Sequence, residues 1–207
     1  MGYTYLDTGA MYRAVGFYLD RIGVDIHNFD ALSLSLAGLR LELLPAVTEI
    51  SDVGVIINGE DVSDIIRTPE VAMVASRVSA IPVIREKLTE MQRFLGSRGG
   101  VVAEGRDIGT VVFPGARHKF FLDADPRERA RRRVIQMRER GVEVDEEEIL
   151  AITLERDKND RERDIAPLRQ AENAVKIDST NITLEEVVIR ILQKVSEGEA
   201  GQPCLSP

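Results

Sequence analysis

The sequence predicts an α/β protein with a small antiparallel lobe inserted into it, and three observations carry that prediction. Short apolar runs recur, each stopping at a charged or glycine-bearing turn. Tyr3–Leu6 stops at Asp7-Thr8-Gly9, Val101–Ala103 at Glu104-Gly105-Arg106-Asp107, and Val175–Ile177 at Asp178-Ser179-Thr180-Asn181. Stretches of helical period lie between these runs, the alternation expected of a parallel sheet with crossover helices. From about Asn28 to Arg85 the pattern changes: Leu39, Leu41 and Leu43 alternate with polar residues, Val53 to Ile57 repeats the alternation, and Asn58-Gly59 is a hairpin signal.

Taken in order, Tyr3–Leu6 is a short strand running into a helix from about Ala10 to Ile22, capped by Asp7 or Thr8. Met11, Ala14, Val15, Tyr18, Leu19 and Ile22 form its apolar stripe, and Gly23 ends it. After the antiparallel region, Thr68-Pro69-Glu70 opens a helix whose exit carries Ser76 and Arg77. A second helix starts near Pro82 and carries Arg85. Ile84, Leu88, Met91 and Leu95 are expected on its buried face. Val101–Ala103 reads as a buried strand, and Gly109 allows a second turn before Val111-Val112-Phe113. Lys119–Leu122 is the next strand, and Asp125-Pro126 caps the helix after it. Asp145, with Glu146, Glu147 and Glu148, starts another, its acids suited to the first-turn dipole. From Pro126 to Ala166, 41 residues hold 11 Arg or Lys and 12 Asp or Glu, so the segment is expected to bury little and to act as a mobile lid. Pro167 stops its last helix. Thr183 with Glu186 makes a capping box for a final amphipathic helix to about Val195, and a disordered tail is expected beyond it.

Composition narrows the function. With 207 residues, 43% hydrophobic and 30% charged, the chain can bury one core with an added lobe. A net charge of −8 argues against a general nucleic-acid binder, which would carry a basic face. Cys204 is the only cysteine, and His27 and His118 are the only histidines. No disulfide, zinc cluster or metal-ligand spacing follows from them. The sequence has neither an apolar run long enough to span a membrane nor a signal-peptide pattern, which points to a cytoplasmic protein.

The polar residues that stand out lie at strand ends. Glu104-Gly105-Arg106-Asp107 sits at the carboxyl edge of a strand, where open α/β folds bind ligands. A surface turn closed by a salt bridge would use the same residues. Tyr12 and Arg13 lie in the first turn of the first helix, where an anion can meet free N–H groups; packing for Tyr12 and a solvated charge for Arg13 stay open. Arg156, Asp160 and Arg163 are spaced i, i+4, i+7 on one helix face, a pattern that solvated salt-bridged faces share. Arginines gathered around a cleft suit a polyanionic ligand, most simply phosphates, and phosphoryl transfer needs positioning and charge rather than covalent chemistry.

YLDTGAMYR, INGEDVSDIIRTPEVAMVASRVSAIPVIRE, EGRDIGTVVFP and ERDKNDRERDIAPL, in that order, resemble bacterial cytidylate kinases from Gly2 to Val195. The resemblance implies a P-loop nucleoside-monophosphate-kinase-like parallel sheet with flanking helices. It divides the chain into a discontinuous core (1–27, 86–125 and 167–196), an inserted CMP-binding lobe (28–85), a lid (126–166) and a tail (197–207). It implies transfer of the γ-phosphate of ATP to CMP or dCMP with Mg²⁺, in a monomer that binds neither nucleic acid nor membrane. By the same resemblance Ser76, Arg85 and Asp107 read the cytosine, and Arg156 and Asp160 hold the ribose. Arg13, Arg106 and Arg163 surround the CMP phosphate, Thr8 and Tyr12 line that pocket, and Arg129 and Arg133 lie over the ATP phosphates.

One departure is large. The family begins with a strand and a phosphate loop of the G-x-x-x-x-G-K-[ST] kind, whereas Lys87, Lys119, Lys158, Lys176 and Lys194 are each followed by neither Ser nor Thr. The expectation is therefore a chain that starts at the family's second strand, without the first strand, the phosphate loop or its metal-binding hydroxyl, and that is inactive in this form. A protein that binds CMP without turning it over is the competing reading.

Overall fold

A computed structural model describes residues 3–46 and 52–200. The elements run β1 (Thr4–Asp7), α1 (Thr8–Arg21), α2 (Phe29–Ala37), β2 (Leu41–Leu44), β3 (Gly54–Ile57), β4 (Glu60–Asp61), α3 (Pro69–Val78), α4 (Pro82–Leu95), β5 (Val101–Glu104), β6 (Phe120–Asp123), α5 (Pro126–Glu139), α6 (Glu146–Glu162), β7 (Val175–Asp178) and α7 (Leu184–Ala200). The fold is α/β, as the sequence predicts. The chain forms two compact units: residues 1–108 with 159–168, and residues 109–158 with 169–207.

In the first unit β1 and β5 pair in parallel, with Asp7 opposite Glu104 at the carboxyl edge. The Asp7 side chain accepts the Ala10 amide at 2.7 Å and caps α1. Leu6, Ala10, Met11, Ala14, Val15 and Leu19 are buried; Ile22, expected in the stripe, is the C-cap and 44% exposed. Gly16 sets the approach of α1 to α3, since a Cβ there would lie 3.1 Å from Val74 Cγ1. The antiparallel lobe is β2-β3-β4, with Val55 and Ile57 buried. Asn58 (φ 51°) and Gly59 (φ 85°) both take the left-handed conformation that a tight primed hairpin requires. Asn58 also exchanges hydrogen bonds with Arg40, donating its N–H to the carbonyl at 2.8 Å and accepting the Arg40 N–H on Oδ1 at 2.9 Å.

Several expectations change. Val101–Ala103 was expected as a buried strand, yet Val102 is 53% exposed: among the described residues β5 has one neighbour, β1, so only part of its surface is covered. On α4 the buried face holds Ile84, Arg85, Leu88 and Gln92, whereas Leu95 is 43% exposed; α4 presents polar Arg85 and Gln92 inward where apolar periodicity alone would put Leu95. After Asp107, one π-helical turn spans Ile108–Val112, so the turn that Gly109 allows takes in Val111 and Val112 instead of preceding them.

In the second unit β6 and β7 pair in parallel, ending with Asp123 opposite Asp178. Asp125 caps α5 through Arg127 N, Asp145 accepts the Glu148 amide, and Thr183 with Glu186 forms the reciprocal capping box. The charged segment buries more than its composition suggests. Ala130, Val134 and Met137, spaced i, i+4, i+7 on α5, pack with Ile149 and Leu150 of α6 in a closed apolar seam. The last helix runs through Ala200, five residues past the expected end, and the rest of the expected tail lies outside the described residues.

Candidate functional site

The first unit gathers a buried polar cluster behind the carboxyl edge of β1 and β5. Asp107 and Arg85 are 5% and 4% exposed, and the Arg85 guanidinium donates through Nη2 to Asp107 Oδ2. Arg85 Nη1 donates to the Ser79 carbonyl at 2.9 Å, and its guanidinium carbon lies 5.6 Å from the centroid of the Tyr12 ring. That cation–π contact and the carboxylate hold Arg85 from two sides. Burial is the main cause that pushes the Tyr12 hydroxyl up to about 12, against the Arg85 cation, which lowers it. Tyr12 is therefore a neutral hydrogen-bonding group at ordinary pH, and its buried hydroxyl has no partner among the described residues.

Asp160, on the last turn of α6, meets two arginines: Arg106 Nε at 3.0 Å and Arg163 Nη1 at 3.7 Å. Arg163 stands one residue past the helix end, not within the helix as its spacing suggests. Its amide still reaches the Asn159 carbonyl at 3.1 Å, so the helical direction persists. Its Nε donates to the Ala166 carbonyl (2.8 Å) and its Nη1 to Ser79 Oγ (3.0 Å). Burial first, then the neighbouring Arg85 cation, pushes the Arg163 guanidinium down from its ordinary range. Nη2 of Arg163 is buried without a hydrogen-bond partner among the described residues, as is Nε of Arg13. A buried guanidinium N–H without an acceptor is costly, so the cluster is chemically suited to an anion.

At the strand edge, Arg13 Nη2 pairs with Asp7 Oδ2 at 3.1 Å, and Thr8 Oγ1 donates to the Glu104 carbonyl at 2.6 Å. Gly105 is required here, because a Cβ would lie 2.2 Å from Thr8 Oγ1. Crowding by neighbouring groups removes enough water to push the Glu104 carboxyl up, although the residue still reaches solvent. Ser76 is buried in the last turn of α3, and its carbonyl accepts the Ser79 hydroxyl at 2.8 Å. Of the residues singled out in the sequence, Thr8, Tyr12, Arg13, Ser76, Arg85, Arg106, Asp107, Asp160 and Arg163 thus lie in one unit. Arg129, Arg133 and Arg156 belong to the other. There Arg129 makes a two-pronged pair with buried Asp157 and donates from Nε to the Ala124 carbonyl at 3.1 Å. Arg133 Nη1 donates to Gln136 Oε1 at 2.7 Å, and both arginines line an open cleft with Arg132. Sequence reasoning missed Ser79 and Asp157. Each looks ordinary in the sequence, Ser79 as one more helix-end serine and Asp157 as one acid in a charge run, and the side chains that they accept from, Arg163 and Arg129, are distant in sequence.

The model of the cytidylate kinase family matches residues 1–197. The chain belongs to the cytidylate kinase family. A cytidylate kinase of Geobacter sulfurreducens is 46% identical over 204 residues, covering 98% of this chain and 86% of the relative. Those of Syntrophotalea carbinolica (45% over 195 residues, 94% and 82%) and Fervidobacterium nodosum (46% over 197 residues, 95% and 86%) are similarly close. Membership implies use of ATP and a nucleotide acceptor, and the P-loop nucleoside monophosphate kinase fold. No helix among the described residues is long and apolar enough to cross a membrane.

The family's Mg²⁺ finds no prepared carboxylate at this edge. Asp7 has Oδ1 on the Ala10 amide and Oδ2 on Arg13, and Glu104 interacts with the Tyr5 hydroxyl. Among the described residues no group of three or more His, Cys, Asp or Glu could hold a metal. Among the described residues, those at this edge do not fit a resident ion.

Proposed function

We propose that this member of the cytidylate kinase family takes CMP or dCMP as acceptor in the first unit and accepts the γ-phosphate of ATP onto it. The observation that carries the reading is the buried Arg85–Asp107 pair against the Tyr12 ring, with Arg163 beside it. Asp107 accepts from the cytosine amino group, while Arg85 and Ser76 donate to its ring acceptors. Uracil would set a carbonyl against the carboxylate with no proton between them, and a site that leaves buried groups unpaired rejects an analogue strongly. Arg156 and Asp160 hold the ribose. Arg13, Arg106 and Arg163 neutralise the phosphate, with Thr8 and Tyr12 lining its pocket. The attacking oxygen is already ionised at neutral pH, so no general base is needed. It bonds to the γ-phosphorus as the bond to the ADP oxygen breaks. Arg129 and Arg133 serve the donor phosphates from the lid (126–166), and residues 28–85 form the acceptor lobe. Mg²⁺ enters with ATP, and no residue of this chain is assigned to it. The same reading takes the enzyme to be a cytoplasmic monomer.

A second reading is CMP binding without turnover, which the buried Arg85–Asp107 pair with Arg163 beside it would serve equally well. Calorimetric titration with CMP, UMP and AMP tests what both readings share, and CMP is expected to bind alone or far more tightly. Equal affinity for UMP would remove the base-reading role of Asp107. ADP release from ATP on addition of CMP selects the kinase reading; CMP binding with no ADP release selects the second.

A further inference from the structure

We infer that Ser79 is a positioning residue for the acceptor phosphate, holding the Arg163 guanidinium so that Nη2 is left to the anion. This rests on the reading of Arg163 as a phosphate ligand. Ser79 ends α3 and is 6% exposed. Its hydroxyl proton is committed to the Ser76 carbonyl at 2.8 Å, so Oγ faces Arg163 as an acceptor, 3.0 Å from Nη1. Its carbonyl takes Arg85 Nη1 at 2.9 Å. One residue therefore receives two guanidinium groups of like charge, and the Arg85 cation is among the causes that push Arg163 down. Left to Coulomb repulsion the two would separate; Ser79 supplies each with an acceptor and fixes both.

The guanidinium is planar and rigid, so two anchored nitrogens determine where the third lies. Arg163 Nε is anchored on the Ala166 carbonyl and Nη1 on Ser79 Oγ, which leaves Nη2 buried with no acceptor among the described residues. Ala166 presents its carbonyl from a left-handed backbone (φ 49°), a conformation uncommon for alanine. A pre-set donor without a partner is an arrangement that a phosphate oxygen completes. Without Ser79 Oγ the group retains one hydrogen bond, to the Ala166 carbonyl, and the longer ion pair with Asp160 at 3.7 Å, so it is held less tightly beside Arg85 and the phosphate must then reorganise it on binding.

The test compares wild type, Ser79→Ala and Ser79→Thr by calorimetric titration with CMP and with cytidine, each variant checked first by thermal melting. Ser79→Ala is expected to weaken CMP about ten-fold, the scale of one hydrogen bond to a charged group, and to leave cytidine nearly unchanged. Ser79→Thr, which restores the hydroxyl, is expected to recover the CMP affinity. In an Arg163→Met background the alanine change should have no further effect on CMP, because the two residues act as one unit. Equal weakening of cytidine and CMP would mean that Ser79 only closes α3, and an undiminished preference for CMP in Ser79→Ala would overturn the inference alone. A wild-type protein that binds cytidine as well as CMP would overturn the phosphate reading, and the inference with it.

Discussion

Asp107 and Arg85 hold each other in a place almost closed to water, and that makes their two roles separable. Removing the carboxylate leaves a buried cation with the Ser79 carbonyl and the Tyr12 ring. Breaking one side of a buried pair costs about 3–5 kcal/mol, a large share of the roughly 5–15 kcal/mol of a domain. Asp107→Ala should therefore lower stability in urea as well as CMP affinity. Asp107→Asn keeps the shape and an acceptor oxygen, so it should melt closer to wild type while CMP weakens by about one to two decades. Unchanged CMP affinity in the asparagine variant would show that the carboxylate does not read the base. Arg163→Met should spare cytidine and weaken CMP, and equal losses would take Arg163 off the phosphate. At this scale the sequence was informative wherever a residue belonged to a motif: Asp107, Arg85 and Arg163 could be singled out from short runs. Ser79 could not, because its role comes from a hydrogen bond spanning 84 positions of the chain.

Among the elements, α5 and α6 show where composition misleads. Counting 23 charges in 41 residues predicts little burial. The apolar residues were few but correctly spaced, and Ala130, Val134 and Met137 close a seam against Ile149 and Leu150. Position, not abundance, decides whether a helix packs. Beside the seam, Arg129 meets Asp157 with both terminal nitrogens, and Asp157 is 4% exposed. Removal of the aspartate strands a half-buried guanidinium, so Asp157→Ala should cost about 1–3 kcal/mol in urea denaturation followed by helical circular dichroism. Asp157→Asn, which still accepts one hydrogen bond, should cost less. A loss of only a few tenths in the alanine variant would make the pair an incidental surface contact. The caps were the most legible feature: Asp7, Thr68, Asp125 and Thr183 each do what their residue type and position predict, because capping is settled within three or four residues. Strand burial was less legible, because it depends on how many neighbours a strand has. An apolar run such as Val101–Ala103 does not state that number.

The whole chain divides its chemistry as it divides its contacts. Residues proposed for the cytosine and the acceptor phosphate lie in the first unit, while Arg156, proposed for the ribose, lies in the second with Arg129 and Arg133. Each unit has a parallel strand pair and a core of its own: α1 with β3 and α3 in one, the α5–α6 seam in the other. Local opening free energies differ between such units, and a ligand that binds the native form stabilises by about 2.7 kcal/mol at one hundred times its Kd. CMP should therefore slow amide hydrogen exchange unevenly. Protection is expected in the first turns of α1, across the end of α3 and the start of α4, around residues 104–108, and in the last turns of α6. The α5 helix and the β6–β7 pair should exchange nearly as they do without ligand. Cytidine should reproduce the protection at α3, α4 and Asp107 while protecting residues 159–166 less, since it lacks the phosphate assigned to Arg163. Exchange measured by mass spectrometry on the chain with saturating CMP, with cytidine and with neither distinguishes the outcomes. Uniform slowing over both units would mean that CMP stabilises the chain as one cooperative body. Protection confined to α5 and its cleft would move the acceptor site to the arginines of the second unit, and the assignment of Arg85, Asp107 and Arg163 would then be wrong.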